Sequence, residues 1–313
     1  MVEQWPFKPF VTGSNPVRPR SYFFLLVFLS IIFPDAHSAD SKLIRIKSDD
    51  NHILHGNLYE HGEKKSVFLI VHGTRAFNEM EIIKKISQSI YDEGYDVLSI
   101  NLSYGVSARN SNFLSCDIEH RHNEHSSVGE IIKWYEYLLS LKYREINFLG
   151  HSRGAFNITQ AASLIENKLI KLYLLAPVID TYAGTSEYYR TIHNLPYDDV
   201  INSDEEFMIS DRYPPINFLF CENAKVSAST FRSYLDFSRT KHKYPFTFDI
   251  LELLEDIDSQ VIIFSGTEDE ILLDNYKILT NIDKPNISHH IIEGGDHFFR
   301  DIYLDDVIDI IFE

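Results

Sequence analysis

The chain has 313 residues, is 44% hydrophobic and carries a formal net charge of −17. That is enough for one large domain with its own core, or one domain plus a lid, and the acidic balance, repelling phosphates, excludes nucleic acid as a partner. The 18 Tyr and 22 Phe argue against disorder throughout, and the two cysteines, Cys116 and Cys221, allow one disulfide but no disulfide framework.

Residues 1–39 read as a targeting segment. Arg18 and Arg20 precede an apolar run, Tyr22 to Phe33, which ends at Pro34 and is followed by Ala36-His37-Ser38-Ala39. A positive flank, a short apolar stretch and small residues at a break describe a secretory signal peptide. The run is short for a bilayer span; left uncleaved it would act as an N-terminal anchor, and once cleaved it leaves no stable membrane partner. No cysteine stands near the break, which argues against a lipoprotein. The expected destination is therefore the periplasm or the outside of the cell, where a Cys116–Cys221 disulfide is permitted. The residues before Arg18 fit no signal pattern. Gly13-Ser14-Asn15-Pro16 can be encoded by DNA resembling the T-arm of a transfer RNA gene, which suggests that translation begins further downstream.

Residues 40–313 read as one domain. Leu43–Lys47 and His52–Tyr59 alternate around Asp49-Asp50-Asn51, as in an antiparallel hairpin. Val67–Val71 is continuously apolar, as in a strand buried on both faces. Glu79–Tyr91 places Ile82, Ile83, Ile86 and Ile90 at helical spacing. Val97–Ile100 is a further buried strand, Val128–Leu141 a helix, Ile146–Leu149 a strand, Ala155–Ala162 a helix, and Leu169–Leu175 another strand. From residue 181 to 248 the rhythm breaks in a stretch rich in Tyr, Asp, Ser and Pro without clear strand alternation, read as a lid insertion. It resumes with strands at Val261–Phe264 and Ile287–Ile292 and a last helix from about Phe298. Strands alternating with helices predict a mainly parallel central sheet with helices on both faces.

Four short motifs follow four of these strands. Gly150-His151-Ser152-Arg153-Gly154 is Gly-x-Ser-x-Gly between a strand and a helix, a sharp turn that lifts a serine hydroxyl off the sheet; a side chain at either glycine would crowd it. Val71-His72-Gly73-Thr74 follows the first buried strand. Gly266-Thr267-Glu268-Asp269 follows the penultimate strand, and Gly295-Asp296-His297-Phe298 the last. A serine needs a base to become a nucleophile, and that base needs a carboxylate to orient it.

In this order the motifs resemble the α/β-hydrolase superfamily, specifically its serine esterases and lipases, and the resemblance covers nearly all of the chain after residue 40. It implies an α/β-hydrolase fold with a lid and an exported serine hydrolase cleaving carboxylic esters or related small acyl compounds through an acyl-enzyme. Ser152 would be the nucleophile, His297 the base and Asp269 the acid, with the backbone N–H groups of Thr74 and Arg153 forming the oxyanion hole; no cofactor or metal is required. Glu268, Glu270 and Asp180 are rival acids; His289 and His290 are rival bases but fall within a strand pattern. His72 reads as a loop-shaping residue. A peptidase or acyltransferase of the same fold, a cofactor-free haloperoxidase, or a non-catalytic binding module on the same scaffold are the alternatives. Nothing in the sequence points to an oligomeric state.

The connection Cys116–His125 holds His120, His122 and His125 among carboxylates. Its spacing is not a standard metal-site spacing. It reads as an irregular polar loop; the alternatives are a substrate-contacting or loop-ordering role for the three histidines, or a zinc site made by these histidines with Cys116 and the carboxylates. Arg153 is expected either to meet an anionic substrate or to pair with a carboxylate such as Asp117 or Glu119.

Overall fold

The computed structural model describes residues 40–63, 65–165, 170–179, 190, 216–227, 229–231, 233–234, 250–273 and 275–313. The segment read as a signal peptide, Asp180 and most of the 181–248 insertion lie outside the described residues.

The chain opens with the hairpin of β1 (Lys42–Lys47) and β2 (Ile53–Tyr59), whose turn puts Asn51 at φ 63°, a conformation asparagine tolerates better than most residues. There follow β3 (Ser66–Val71), α1 (Glu81–Asp92), β4 (Asp96–Ile100), β5 (Glu119–His120), α2 (Glu124–Ser140), β6 (Glu145–His151), α3 (Arg153–Leu164) and β7 (Leu172–Leu175). Beyond these come β8 (Ile216–Phe218), β9 (Cys221–Val226), α4 (Ile250–Asp256), β10 (Val261–Gly266), α5 (Asn275–Leu279), β11 (Ile287–Ile292) and α6 (Ile302–Phe312).

The eight-stranded sheet runs β1-β2-β4-β3-β6-β7-β10-β11. β2 pairs antiparallel with β1 and β4; from β4 onward the pairs are parallel. The period of two along each strand divides the core into two layers. On β3, Val67, Leu69 and Val71 face the layer that holds Ile131 and Trp134 of α2, Phe156 of α3 and Leu253 of α4. Phe68 and Ile70 face Ile83 and Ile86 of α1 and Leu304 and Val307 of α6. Both faces are covered, which is why the central strands read as unbroken apolar runs. Because the central strands are parallel, the loops after β3, β6, β10 and β11 open at one edge of the sheet, where such folds place their chemistry. Among the described residues, no helix is long and apolar enough to cross a membrane.

The structure differs from the sequence reading in the Cys116–His125 connection and in the insertion. α2 begins at Glu124, four residues before Val128, with Asn123 in extended conformation accepting the backbone N–H of His125 on its side chain at 2.8 Å. Apolar periodicity missed this first turn because it is polar; the Asn cap carries the signal. The connection is therefore not irregular throughout, since Glu119 and His120 form β5. That strand pairs parallel with β9, and β9 pairs antiparallel with β8, so two strands from the 181–248 stretch join β5 in a small three-stranded sheet. Alternation along β9 fails at Asn223, which has φ 52° and is exposed between buried Cys221 and Ala224. Cys116 and Cys221 form a disulfide across 105 residues of sequence, with Cα atoms 5.4 Å apart.

Candidate active site

Ser152 sits between the last residue of β6 and the first of α3 at φ 56°, ψ −122°. A side-chain-bearing residue in this region costs on the order of 1–3 kcal/mol and persists only where its surroundings impose it. Here Ser152 N donates to Leu175 O at 2.8 Å, and Ala155 N donates to Ser152 O at 3.1 Å. The flanking glycines allow the close approach. A Cβ on Gly150 would lie 2.5 Å from the backbone of Gly154 and Ala155, and one on Gly154 would lie 2.4 Å from Val71 O and 2.5 Å from His72 O. The turn is thus pressed against the end of β3, and Gly73 lies so near that a Cβ there would be 3.1 Å from Ser152 Cβ. The Ser152 hydroxyl makes no hydrogen bond among the described residues, and catalytic hydrogen bonds often close only around substrate.

The loops after β10 and β11 bring Asp269 and His297 together. Asp269 Oδ2 is 2.8 Å from His297 Nδ1, and both residues are buried. Asp269 Oδ1 accepts the N–H groups of Ile271 at 2.9 Å and Leu272 at 2.7 Å. Burial pushes the Asp269 carboxyl up, but the His297 hydrogen bond and charge together with these two N–H groups hold it below the usual range. The rival acids are placed differently: Glu268 is exposed, and Glu270, also exposed, accepts the backbone N–H of His297 at 3.1 Å. Of the rival bases, His289 is hydrogen-bonded to Ser265 Oγ and His290 stacks on Phe264 with centroids 5.6 Å apart.

The loop after β3 is held by His72, expected from the sequence to shape that loop, and by Arg109, which the sequence did not single out. His72 is fully buried; its Nε2 accepts Leu102 N at 3.1 Å, so its Nδ1–H donates to Gly73 O at 2.8 Å. Burial, with the charge of Arg109, brings the His72 pKa down to about 3 and keeps the ring neutral. Arg109 is 5% exposed and donates to Leu102 O at 2.8 Å, Arg75 O at 3.1 Å, Asn112 O at 2.8 Å and Ala76 O. This buried guanidinium fastens the turn that carries Thr74 to the connection after β4. Arg153, as the first residue of α3, offers one of the N–H groups that a helix leaves without an intrahelical partner.

The Arg153 side chain pairs with a carboxylate, but with Glu124 rather than Asp117 or Glu119: Nε donates to Glu124 Oε1 at 2.8 Å, and the guanidinium lies 4.8 Å above the Tyr234 ring. Glu124 is on the polar first turn of α2, so the Asn123 cap that reveals the helix start would also have revealed this carboxylate. Beside it, Tyr234 Oη is 3.4 Å from His122 Nδ1, and His122 Nε2 is 3.3 Å from His120 Nδ1. His122 N donates to Thr230 Oγ1 at 2.8 Å, and Phe218 packs edge-on to His120 at 5.3 Å. Burial lowers His120 to about 4 and His122 to about 3, so both are neutral at physiological pH. These contacts join the pair to the β8–β9 insertion, while His125 lies in the first turn of α2. Among the described residues no group of three or more His, Cys, Asp or Glu is arranged to hold a metal ion.

No family model and no curated protein matches the sequence. Solved structures do match its fold. Est1E from Butyrivibrio proteoclasticus is 18% identical over 86% of this chain and 95% of its own, with a TM-score of 0.60. The Pyrococcus furiosus esterase Pf2001 is 17% identical over 88% of this chain and 89% of its own, at 0.54. The esterase domain of a Rhodothermus marinus protein is 12% identical over 87% and 96%, at 0.57. Together with the sheet order, these likenesses show an α/β-hydrolase fold.

Proposed function

We propose that this protein is a serine hydrolase that cleaves carboxylic esters through an acyl-enzyme. The observation that carries the reading is the conformation of Ser152. A serine held at φ 56° on a strand-to-helix turn has a conformational cost that its surroundings must impose, here with Gly150 and Gly154 packed around it. The buried Asp269–His297 pair supports the same reading, because a carboxylate on Nδ1 leaves Nε2 as the basic nitrogen. The structural neighbours described as esterases support an ester as the substrate class.

In the proposed reaction, Ser152 Oγ attacks the acyl carbonyl while His297 Nε2 takes its proton. Asp269 keeps the Nδ1–H tautomer and stabilises the imidazolium. The carbonyl oxygen, now anionic, is received by the N–H groups of Thr74 and Arg153; losing one such donor costs about 3 kcal/mol of transition-state stabilisation. His297 then protonates the departing alkoxide, and water repeats the sequence to release the acid. The Cys116–Cys221 disulfide supports export to an oxidising compartment. The test is a panel of esters of increasing acyl length, run beside thioesters and peptides. Turnover should be highest on esters; a folded protein that turns over none of them contradicts the proposal.

A further inference from the structure

The variable position before the nucleophile, His151, is not idle filler of the elbow. It is the last residue of β6 and is 2% exposed. Its Nε2 lies 2.8 Å from the backbone carbonyl of His297. A carbonyl only accepts, so Nε2 carries the proton and Nδ1 the lone pair. The two imidazoles lie 4.9 Å apart, centroid to centroid, and the His151 ring also packs on Phe298 at 5.5 Å. On its other side, Nδ1 is buried with no hydrogen-bond partner among the described residues, and a Cβ on Gly73 would stand 3.4 Å from it. One ring therefore touches the nucleophile turn, the histidine loop and the loop after β3.

His297 is in turn held at three points. Asp269 fixes its Nδ1, Glu270 accepts its backbone N–H, and His151 donates to its backbone carbonyl. Asp269 sets the ring's tautomer. The other two contacts set where the ring's Cα stands relative to Ser152, and of these only the His151 contact is buried on both sides. A buried carbonyl left without its donor would cost free energy and draw the loop towards another partner.

We propose that His151 is a positioning residue: its Nε2–H, through the carbonyl of His297, locks the base loop to the nucleophile turn at the distance proton transfer requires. The proposal rests on the reading of Ser152 as nucleophile and His297 as base. Burial, reinforced by the neighbouring His297, brings the His151 pKa down to about 3, so the ring stays neutral and adds no repulsion when His297 becomes cationic.

Leucine and glutamine are both uncharged and of comparable volume, but only glutamine can donate to the carbonyl, so the difference between His151→Leu and His151→Gln reports chiefly on the donor. His151→Leu is expected to lower kcat, and the rate at which a fluorophosphonate labels Ser152, by about 10²-fold with KM little changed, because misplacing a catalytic group by about 1 Å costs that much. His151→Gln should recover about tenfold of that loss. Equal losses in the two variants, or wild-type rates in a folded His151→Leu, overturn the proposal. The tautomer offers a readout independent of activity. Long-range proton–nitrogen correlation spectra of the wild type should show His151 protonated on Nε2; protonation on Nδ1 overturns the proposal even if His151→Leu does not fold. If folded wild type takes no fluorophosphonate, the reading of Ser152 fails instead, and the tautomer measurement still decides whether His151 holds the loop.

Discussion

Two groups of buried histidines, His297 with its partners and the His120–His122 pair, are built differently. His297 has a carboxylate on Nδ1, supplied by a separate loop. His120 and His122 have each other, a tyrosine hydroxyl and aromatic faces, while the nearby carboxylate, Glu124, is taken by Arg153. Burial, helped by the charges of Arg75 and Arg153, strips the second pair of its proton and leaves it neutral. A histidine serves as a base when an orienting carboxylate waits to stabilise the cation it becomes. In the other group the same side chain fills space and passes hydrogen bonds along. The two groups therefore separate by what is lost on substitution: turnover around His297, stability around Glu124 and His122.

The largest effect should come from removing the orienting charge. Asp269→Asn is expected to lower kcat by roughly 10⁴-fold while leaving the fold intact, whereas Glu270→Gln, which keeps an acceptor for His297 N, should cost far less. Steady-state kinetics on the best ester checks both, and equal losses would undo the assignment of the acid. Next comes the other group. Glu124→Leu leaves the partly buried Arg153 guanidinium without its carboxylate, which should destabilise the protein by up to about 3 kcal/mol, measured by denaturant unfolding. A loss of activity with no loss of stability would move Glu124 into the chemistry.

A smaller effect is the response to acid. His72, His120, His122 and His151 have folded-state pKa values of about 3 to 4, below the ordinary 6.5. The unfolded chain then binds more protons than the folded one. The stability tied to these rings is full above about pH 6.5 and is lost as the pH falls below it. Glu130, raised by burial to about 7 from 4.5, works in the opposite sense between those values, but it is one group against several. The melting temperature should therefore fall from about pH 7 to pH 5, and His122→Phe should flatten that slope. An unchanged slope would mean that His122 is not held neutral in the folded state.

Much of this was legible in the sequence because parallel strands buried on both faces leave unbroken apolar runs, and the loops after them carry short motifs with little freedom. Ser152, Asp269 and His297 become candidates that way, and the pairing of Asp269 with His297 is seen in the structure. The contacts that hold them could not be read from the sequence. Arg109 donates to backbone carbonyls of two segments, the turn after β3 and the connection after β4, and backbone carbonyls have no residue type. His151 acts on the carbonyl of His297, 146 residues away. Apolar spacing starts α2 at Val128 and leaves Glu124 undistinguished in the loop with Asp117 and Glu119; the Asn123 cap moves that start to Glu124, whose carboxylate pairs with Arg153. The small sheet of β5, β8 and β9 was hidden by the break in alternation at Asn223.

The central claim is that Ser152 is a nucleophile activated by His297. Fluorophosphonate labelling followed by intact-mass measurement tests it most directly. The account predicts one adduct per chain on the folded wild type, located on Ser152, and none on Ser152→Ala. A folded wild type that takes no label, or a label that persists in Ser152→Ala, would contradict it.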